Sequence, residues 1–160
     1  LKHCGAIVES HLAKWPPETW RRELPRLARE LGEFHRAGHW HGGAQIKNLT
    51  LRDGVSYRID FEEDFGEILP LPVTHAADLV LFINSVSLSG PIDEMEARQL
   101  LPQLLDHYFA ANPDPEIREV IRRALPLLRR LATIAGLFRR WSNKGIRRVL
   151  ILVDVFSTVK

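Results

Sequence analysis

Residues 75–88 restrict the fold most, because their sequence HAADLVLFINSVSL is apolar on almost every side. A surface helix carries one apolar stripe, whereas a helix that is apolar all round is normally buried. Other elements must therefore surround this segment. With 160 residues and 45% hydrophobic content, the chain is long enough for one domain with such a core. We predict a central buried helix in a single domain of residues 1–160.

The other long patterns also indicate helices. Thr19 is a candidate N-cap for a helix whose apolar residues recur every three or four positions, and Gly38 follows as a stop signal. Pro25 lies inside this pattern, so we expect a kink or a restart there. Further helices are predicted at 92–110, 115–125, 127–140 and 144–157. Pro126 separates the middle two, and the predicted fold class is mainly α.

Between the first helix and the central one the periodicity changes to alternation. Apolar residues alternate through 49–59 on both sides of Asp53-Gly54, a dipeptide favoured in two-residue hairpin turns. We predict a short two-stranded β-hairpin here.

Composition excludes several classes of protein. Cys4 is the single cysteine, which rules out an internal disulfide framework and favours a cytoplasmic setting. The longest apolar stretches fall short of the roughly 20 residues that span a bilayer. The chain begins at Leu1 without an initiator Met, so we expect it to be part of a longer protein.

Residues 34–67 read FHRAGHWHGGAQIKNLTLRDGVSYRIDFEEDFGE. This stretch resembles the catalytic core of protein-kinase-like phosphotransferases, in particular the atypical bacterial lipopolysaccharide-kinase and RIO-type branch. Those families run from a helix to an H-G-D-x-x-x-x-N loop, a β-hairpin and then I-D-F. Here the loop is His41 to Asn48, and Ile59-Asp60-Phe61 closes the hairpin. The resemblance implies the helical C-terminal lobe of a kinase-like fold, whose hairpin carries the catalytic loop and the metal-binding Asp.

The same resemblance implies ATP and Mg²⁺ as cofactors. Asn48 and Asp60 match the metal ligands, and hard Mg²⁺ prefers such oxygen donors. A hairpin between them brings both side chains to the same end of a two-stranded unit. Asp64-Phe65-Gly66 copies the better-known metal-binding triplet but lies after the hairpin, so Asp60 is favoured.

Supporting roles follow from the resemblance as well. Asp78 matches the aspartate that holds the backbone of the catalytic loop, and the alternative is an acid at a helix start that is favoured by the helix dipole. His41 matches the loop histidine, whose expected role is structural. Lys47 and Gln45 lie where family members carry a basic residue near the transferred phosphate, and simple exposure to solvent is the alternative for both.

The sequence departs from the family at Gly43, which stands where an aspartate normally orients or deprotonates the acceptor hydroxyl. Such a group contributes about 10² to 10⁴ in rate. One interpretation is an active phosphotransferase that acts on a protein, a lipopolysaccharide sugar or a small-molecule hydroxyl, with Glu62 or Asp64 as the replacement acid. A pseudokinase that binds nucleotide or a partner is the second, and nucleotidyl transfer is a third without positive support. The acids of residues 62–67 also fit a solvated loop.

Part of a kinase fold is missing from the sequence. We find no glycine-rich phosphate loop and no strand that carries an ATP-pairing lysine. The resemblance therefore implies that ATP binds together with an N-terminal lobe outside this chain, with residues 1–5 as the linking segment.

Two other binding functions are weaker expectations. His35, His39 and His41 have a spacing that suggests zinc, but Gly38 should end the helix before His39, which disfavours that site. Residues 112–160 carry 11 Lys and Arg against four Asp and Glu. A solvated basic face is the favoured interpretation; contact with the inner-membrane surface is the alternative, and nucleic acid is less favoured than either.

Overall fold

The computed structural model describes residues 5–61, 68–137 and 144–159. Within these ranges the fold is mainly helical, as predicted, with a small antiparallel sheet. The elements are β1 (Ala6–Ile7), α1 (Val8–Leu12), α2 (Pro17–Arg36), a 3-10 turn (Ile46–Asn48), β2 (Leu49–Arg52), β3 (Val55–Arg58), α3 (Leu71–Val86), α4 (Glu94–Ala111), α5 (Pro115–Leu137) and α6 (Lys144–Phe156).

Helix α3 is the central helix that the sequence predicts. It contacts α2, α4, α5, α6 and the 3-10 turn, and half of its residues are buried. It begins at Leu71 rather than at residue 75, because Pro72 in the first turn has a helix-compatible φ and needs no backbone donor there. Asp78 consequently lies inside the helix, so its interpretation as a helix-start acid is wrong.

Helix α2 packs its predicted apolar stripe against α4. A Cβ on Gly32 would lie 2.6 Å from the Tyr108 carbonyl oxygen, so the two helix backbones approach closely at this residue. The helix begins at Pro17, and the prediction of Thr19 as its N-cap is wrong. Proline at the first helical position loses no hydrogen bond, which explains the earlier start. Gly38 follows the helix with φ +83°, as expected for a stop signal.

Three prolines, Pro25, Pro102 and Pro126, lie inside continuous helices, and helix breaks were predicted at two of them. Helix α2 runs through Pro25 rather than restarting, and α5 runs through Pro126, so the predicted break between 125 and 127 is wrong. An interior proline costs about 3 kcal/mol. Tertiary packing offsets that cost, since Pro25 itself is buried and Leu125, which precedes Pro126, belongs to the core.

The predicted hairpin is present, with Arg52 opposite Val55 across a two-residue turn. Asp53 and Gly54 both have positive φ, at 51° and 78°, as a type I′ turn requires. The sheet has a third strand that the sequence did not predict, because β1 pairs with β2 through only two residues. Two residues are too few for a periodic signal.

Within residues 5–61, 68–137 and 144–159, no helix combines the length and the apolar composition that crossing a bilayer requires.

Candidate functional site

The loop of residues 41–48 is fixed to the centre of the molecule by Asp78. This carboxylate is 1% exposed, and its two oxygens accept the backbone N–H groups of His41 at 2.6 Å and Ala44 at 3.3 Å. Buried backbone donors need partners, and a carboxylate makes a strong one. Asp78 thus determines the shape of the first half of the loop.

Two further side chains of α3 contact the same region. The Ser85 hydroxyl accepts the N–H of Ile46 at 3.0 Å and donates to a carbonyl of its own helix. The His75 ring nitrogen Nε2 donates to the carbonyl of His39 at 2.9 Å, just before the loop. Helix α3 therefore holds the loop from its beginning to the 3-10 turn.

A buried chain of hydrogen bonds from α2 and α4 also reaches the Asp78 carboxylate. His35 Nε2 lies 3.3 Å from Asp78 Oδ2, and His35 Nδ1 lies 2.6 Å from the Tyr108 hydroxyl. The chemistry of these partners assigns the tautomer: Nε2–H donates to the carboxylate, and Nδ1 accepts from the hydroxyl. The chain joins α2, α3 and α4 behind the loop.

Burial sets the protonation of this chain. It lowers the pKa of His35 to about 4, although the hydrogen bond with Asp78 acts in the opposite direction. Burial alone would raise the pKa of Asp78, but hydrogen bonds from His35 and from the His41 backbone outweigh it, and the net direction is down. At neutral pH the pair is a neutral imidazole and an ionised carboxylate.

Asn48 connects the loop to the hairpin. Its side-chain nitrogen Nδ2 donates to the Gly43 carbonyl at 2.9 Å, and its backbone carbonyl accepts the N–H of Ile59 at 3.0 Å. With Nδ2 engaged, Oδ1 is the side-chain atom that could ligate a cation. Asp60 follows Ile59 directly, is exposed, and has φ +62°, a left-handed conformation that aspartate tolerates better than most residues.

His41 is fully buried, and its ring packs within the loop. Its Nδ1 accepts the N–H of Gly43 at 3.3 Å, and its ring stacks on Phe61 with centroids 4.5 Å apart and 13° between planes. Burial lowers the pKa of His41, which favours the neutral ring. These contacts agree with a structural role.

The remaining loop positions differ in exposure. Gly43 is buried, and its carbonyl also accepts the N–H of Gln45 at 2.7 Å. Its φ is not positive, unlike that of Gly42 at +79°. Lys47 is exposed at the outer side of the loop.

The remaining residues predicted for this site are two acids and a group of histidines. Glu62 and Asp64, the two candidate replacement acids, lie outside the described residues. The nitrogens of His35 contact Tyr108 and Asp78, and His41 points to Gly43, so these two histidines do not face one common point. Within the described ranges, no three His, Cys, Asp or Glu side chains form a metal-binding group.

Four contributors were missed at the level of sequence: His35 in this role, His75, Ser85 and Tyr108. His35 follows Leu31 by four positions on the buried face of α2, which was the available signal. Tyr108 contacts His35 across 73 residues, and no local pattern reveals such a pairing.

Several arginines in the described portion of the basic C-terminal part have partners within the protein. Arg122 and Arg123 both pair with Glu119, and Arg147 pairs with Glu94. Arg148 donates to the backbone carbonyl of residue 87 at the end of α3. Contact with a membrane surface stays a prediction.

Comparison of the chain with protein-family models, with curated proteins and with solved structures finds no match. The interpretation of this site therefore depends on the geometry described above and on the motif order in the sequence.

Proposed function

We propose that this chain is the C-terminal lobe of an ATP- and Mg²⁺-dependent phosphotransferase. The observation that supports this best is the position of Asn48 at the junction of loop and hairpin. Its side-chain nitrogen donates to the Gly43 carbonyl in the loop, and its backbone carbonyl accepts the N–H of Ile59, which lies directly after β3 and before Asp60. An amide oxygen and a carboxylate thus flank the same end of the hairpin.

This pair suits the metal chemistry of phosphoryl transfer. Mg²⁺ takes oxygen ligands and is usually held by one or two protein groups together with phosphate oxygens and water. Asn48 Oδ1 and the Asp60 carboxylate would hold it here. When bound, the ion would neutralise charge on the phosphates.

The rigid support of the loop fits the same function. Phosphoryl transfer depends mainly on positioning and on prearranged electrostatics. Asp78 and Ser85 fix loop backbone donors from a buried helix, so the loop keeps its shape without a ligand. We propose that the exposed Lys47 meets the transferred phosphate.

Gly43 favours a second candidate, a pseudokinase that binds nucleotide or a partner without turnover. A glycine has no side chain to orient or deprotonate the acceptor hydroxyl. The acceptor and its class stay unassigned, and only the first candidate consumes ATP.

Turnover measurements on the protein in its full natural length test both candidates. We expect Mg²⁺-dependent ATP consumption that Asp60→Ala reduces by at least about 10²-fold, because phosphoryl transfer needs its metal ligands. Asp106→Ala removes an exposed carboxylate on α4 and is the matched control. Equal loss in both variants would contradict the proposed role of Asp60.

A second variant separates the two candidates. Because Gly43 has no positive φ, an aspartate is compatible with its backbone. ATP binding without turnover in the wild type, with turnover gained in Gly43→Asp, would identify a pseudokinase. Turnover in the wild type that Gly43→Asp leaves unchanged would favour a transferase that works without this group.

A further inference from the structure

Tyr108 is the outermost member of the hydrogen-bond chain that reaches Asp78. Its side chain, on α4, is fully buried, and its hydroxyl oxygen lies 2.6 Å from Nδ1 of His35. Burial raises the pKa of Tyr108, so the hydroxyl keeps its proton at neutral pH and can donate it to Nδ1. His35 and Asp78 lie between this hydroxyl and the loop of residues 41–48. The hydroxyl is thus joined to the loop through two other side chains.

The His35 ring is held from several directions. It stacks on the His75 ring, with centroids 4.2 Å apart and 6° between planes, which fixes the plane of the imidazole. Within that plane, Nε2–H donates to Asp78 and Nδ1 accepts from Tyr108, and these two bonds set the rotation of the ring. The bond with Tyr108 is 2.6 Å long, whereas the bond with Asp78, at 3.3 Å, is longer than most hydrogen bonds. The orientation that lets His35 reach Asp78 therefore depends on Tyr108.

The Asp78 carboxylate connects the position of His35 to the loop. Its Oδ2 accepts Nε2–H of His35 and also the backbone N–H of His41, and its Oδ1 accepts the N–H of Ala44. Burial alone would raise the pKa of Asp78, and the hydrogen bond from His35 is the largest effect in the opposite direction. Because one oxygen serves both the imidazole and the loop, a rotation of the ring changes the oxygen that His41 uses.

Packing alone is the alternative role for Tyr108. Its ring lies edge-on to the Phe109 ring with centroids 5.1 Å apart, and its backbone lies close to Gly32 of α2. A phenylalanine would keep these contacts, because it differs from tyrosine only by the hydroxyl. Tyr108→Phe therefore separates packing from hydrogen bonding.

We propose that Tyr108 is a positioning residue for the loop of residues 41–48 and acts through His35 and Asp78. Its hydroxyl donates to Nδ1 and so keeps Nε2–H directed at the carboxylate that holds the loop. Without the hydroxyl, Nδ1 would be a buried acceptor that has lost its donor, which is an unfavourable state that rotation of the ring relieves. A part for this loop in phosphoryl transfer rests on the proposed function, whereas the hold of Tyr108 on the loop does not.

The protonation of His35 in the wild type is the first test. It is measured by NMR of the ring nitrogens in the protein of full natural length, without ATP or metal, so the outcome is independent of whether the protein consumes ATP. At neutral pH we expect the proton on Nε2 and a hydrogen-bonded Nδ1 without a proton. A proton on Nδ1 would reverse the bond with Tyr108 and overturn the proposal.

Tyr108→Phe should shift the Nδ1 resonance of His35 and the amide resonances of His41 and Ala44. Hydrogen exchange of these two amides should become about tenfold faster, which corresponds to the loss of one hydrogen bond. Tyr57→Phe removes the same hydroxyl from an exposed residue of β3 and is the matched control, which should leave all of these signals and rates unchanged. Unchanged loop amides in Tyr108→Phe would mean that Tyr108 only packs, which would overturn the proposal.

The amide of Ile151, a core residue of α6, separates an effect on the loop from a general loss of stability. Its exchange should accelerate less than that of His41 and Ala44, and equal acceleration would count against a positioning role. The path is tested in a His35→Asn background, where Tyr108→Phe should not change the exchange of the loop amides further. A further tenfold increase there would show that the effect bypasses His35, contrary to the proposal.

Discussion

At the scale of single residues, Asp78 is the group on which the candidate site depends most. It accepts two loop N–H groups and one imidazole N–H while almost fully buried. Motif order pointed to Asp78 from the sequence alone. The partners behind it could not be found that way, because the contact between His35 and Tyr108 exists only after α2 and α4 pack together.

Asp78→Asn tests this role. An asparagine has one acceptor oxygen and one amide donor, so at least one of the three N–H groups would lose its acceptor. We expect the free energy of unfolding to fall by about 1–3 kcal/mol, measured by urea denaturation. Asp106→Asn, on the exposed face of α4, should change it by less than about 0.5 kcal/mol. Similar values for the two variants would mean that the Asp78 carboxylate does not hold the loop.

The pKa of His35 predicts how stability depends on pH. It is about 4 in the folded chain against an ordinary value of 6.5, so the unfolded state binds more protons between these pH values. The free energy of unfolding should therefore fall as the pH drops from about 6.5 to about 4, by about 3 kcal/mol from His35. Burial lowers the pKa of His41 and His75 too, and both add to the same trend.

His35→Asn should make this pH dependence shallower in urea denaturation at several pH values. His107→Asn removes an exposed histidine on α4 and serves as the control. An unchanged pH dependence in His35→Asn would show that His35 is not held neutral.

At the scale of elements, the prediction of helices succeeded better than the prediction of their ends. The central helix and the Asp53-Gly54 hairpin follow from patterns that packing reinforces. Pro25 and Pro126 were misjudged because a local steric penalty was weighed without the tertiary burial that outweighs it. The strand β1 has only two residues and depends on β2 for its existence.

Gly32→Ala tests the close packing of α2 on α4. Alanine has the higher intrinsic helix propensity, so an isolated helix would gain stability. In the folded chain, the added methyl would lie 2.6 Å from a carbonyl oxygen and 2.9 Å from the Ala111 Cβ. We expect a net loss of about 1–3 kcal/mol in the free energy of unfolding. Arg36→Ala on the same helix should be near neutral, and a stabilising Gly32→Ala would contradict the observed approach of the helices.

At the scale of the whole molecule, one buried helix organises both the core and the candidate site. Helix α3 packs against four helices and also presents His75, Asp78 and Ser85 to the loop. The sequence indicated the burial of this helix but only one of those three contacts. The hydrogen bonds of Ser85 and His75 depend on how the segment before the 3-10 turn passes along α3, and no periodicity in the sequence indicates that path.

Binding of a metal ion together with ATP is the most direct test of the proposed metal–nucleotide site at Asn48 and Asp60. Mn²⁺ is added with ATP, and paramagnetic broadening of NMR signals reports which residues lie near the ion. We predict broadening that is centred on residues 43, 48 and 60, is abolished in Asp60→Ala and is retained in Asp106→Ala. Broadening that is centred elsewhere, or that survives in Asp60→Ala, would contradict the proposed metal–nucleotide site.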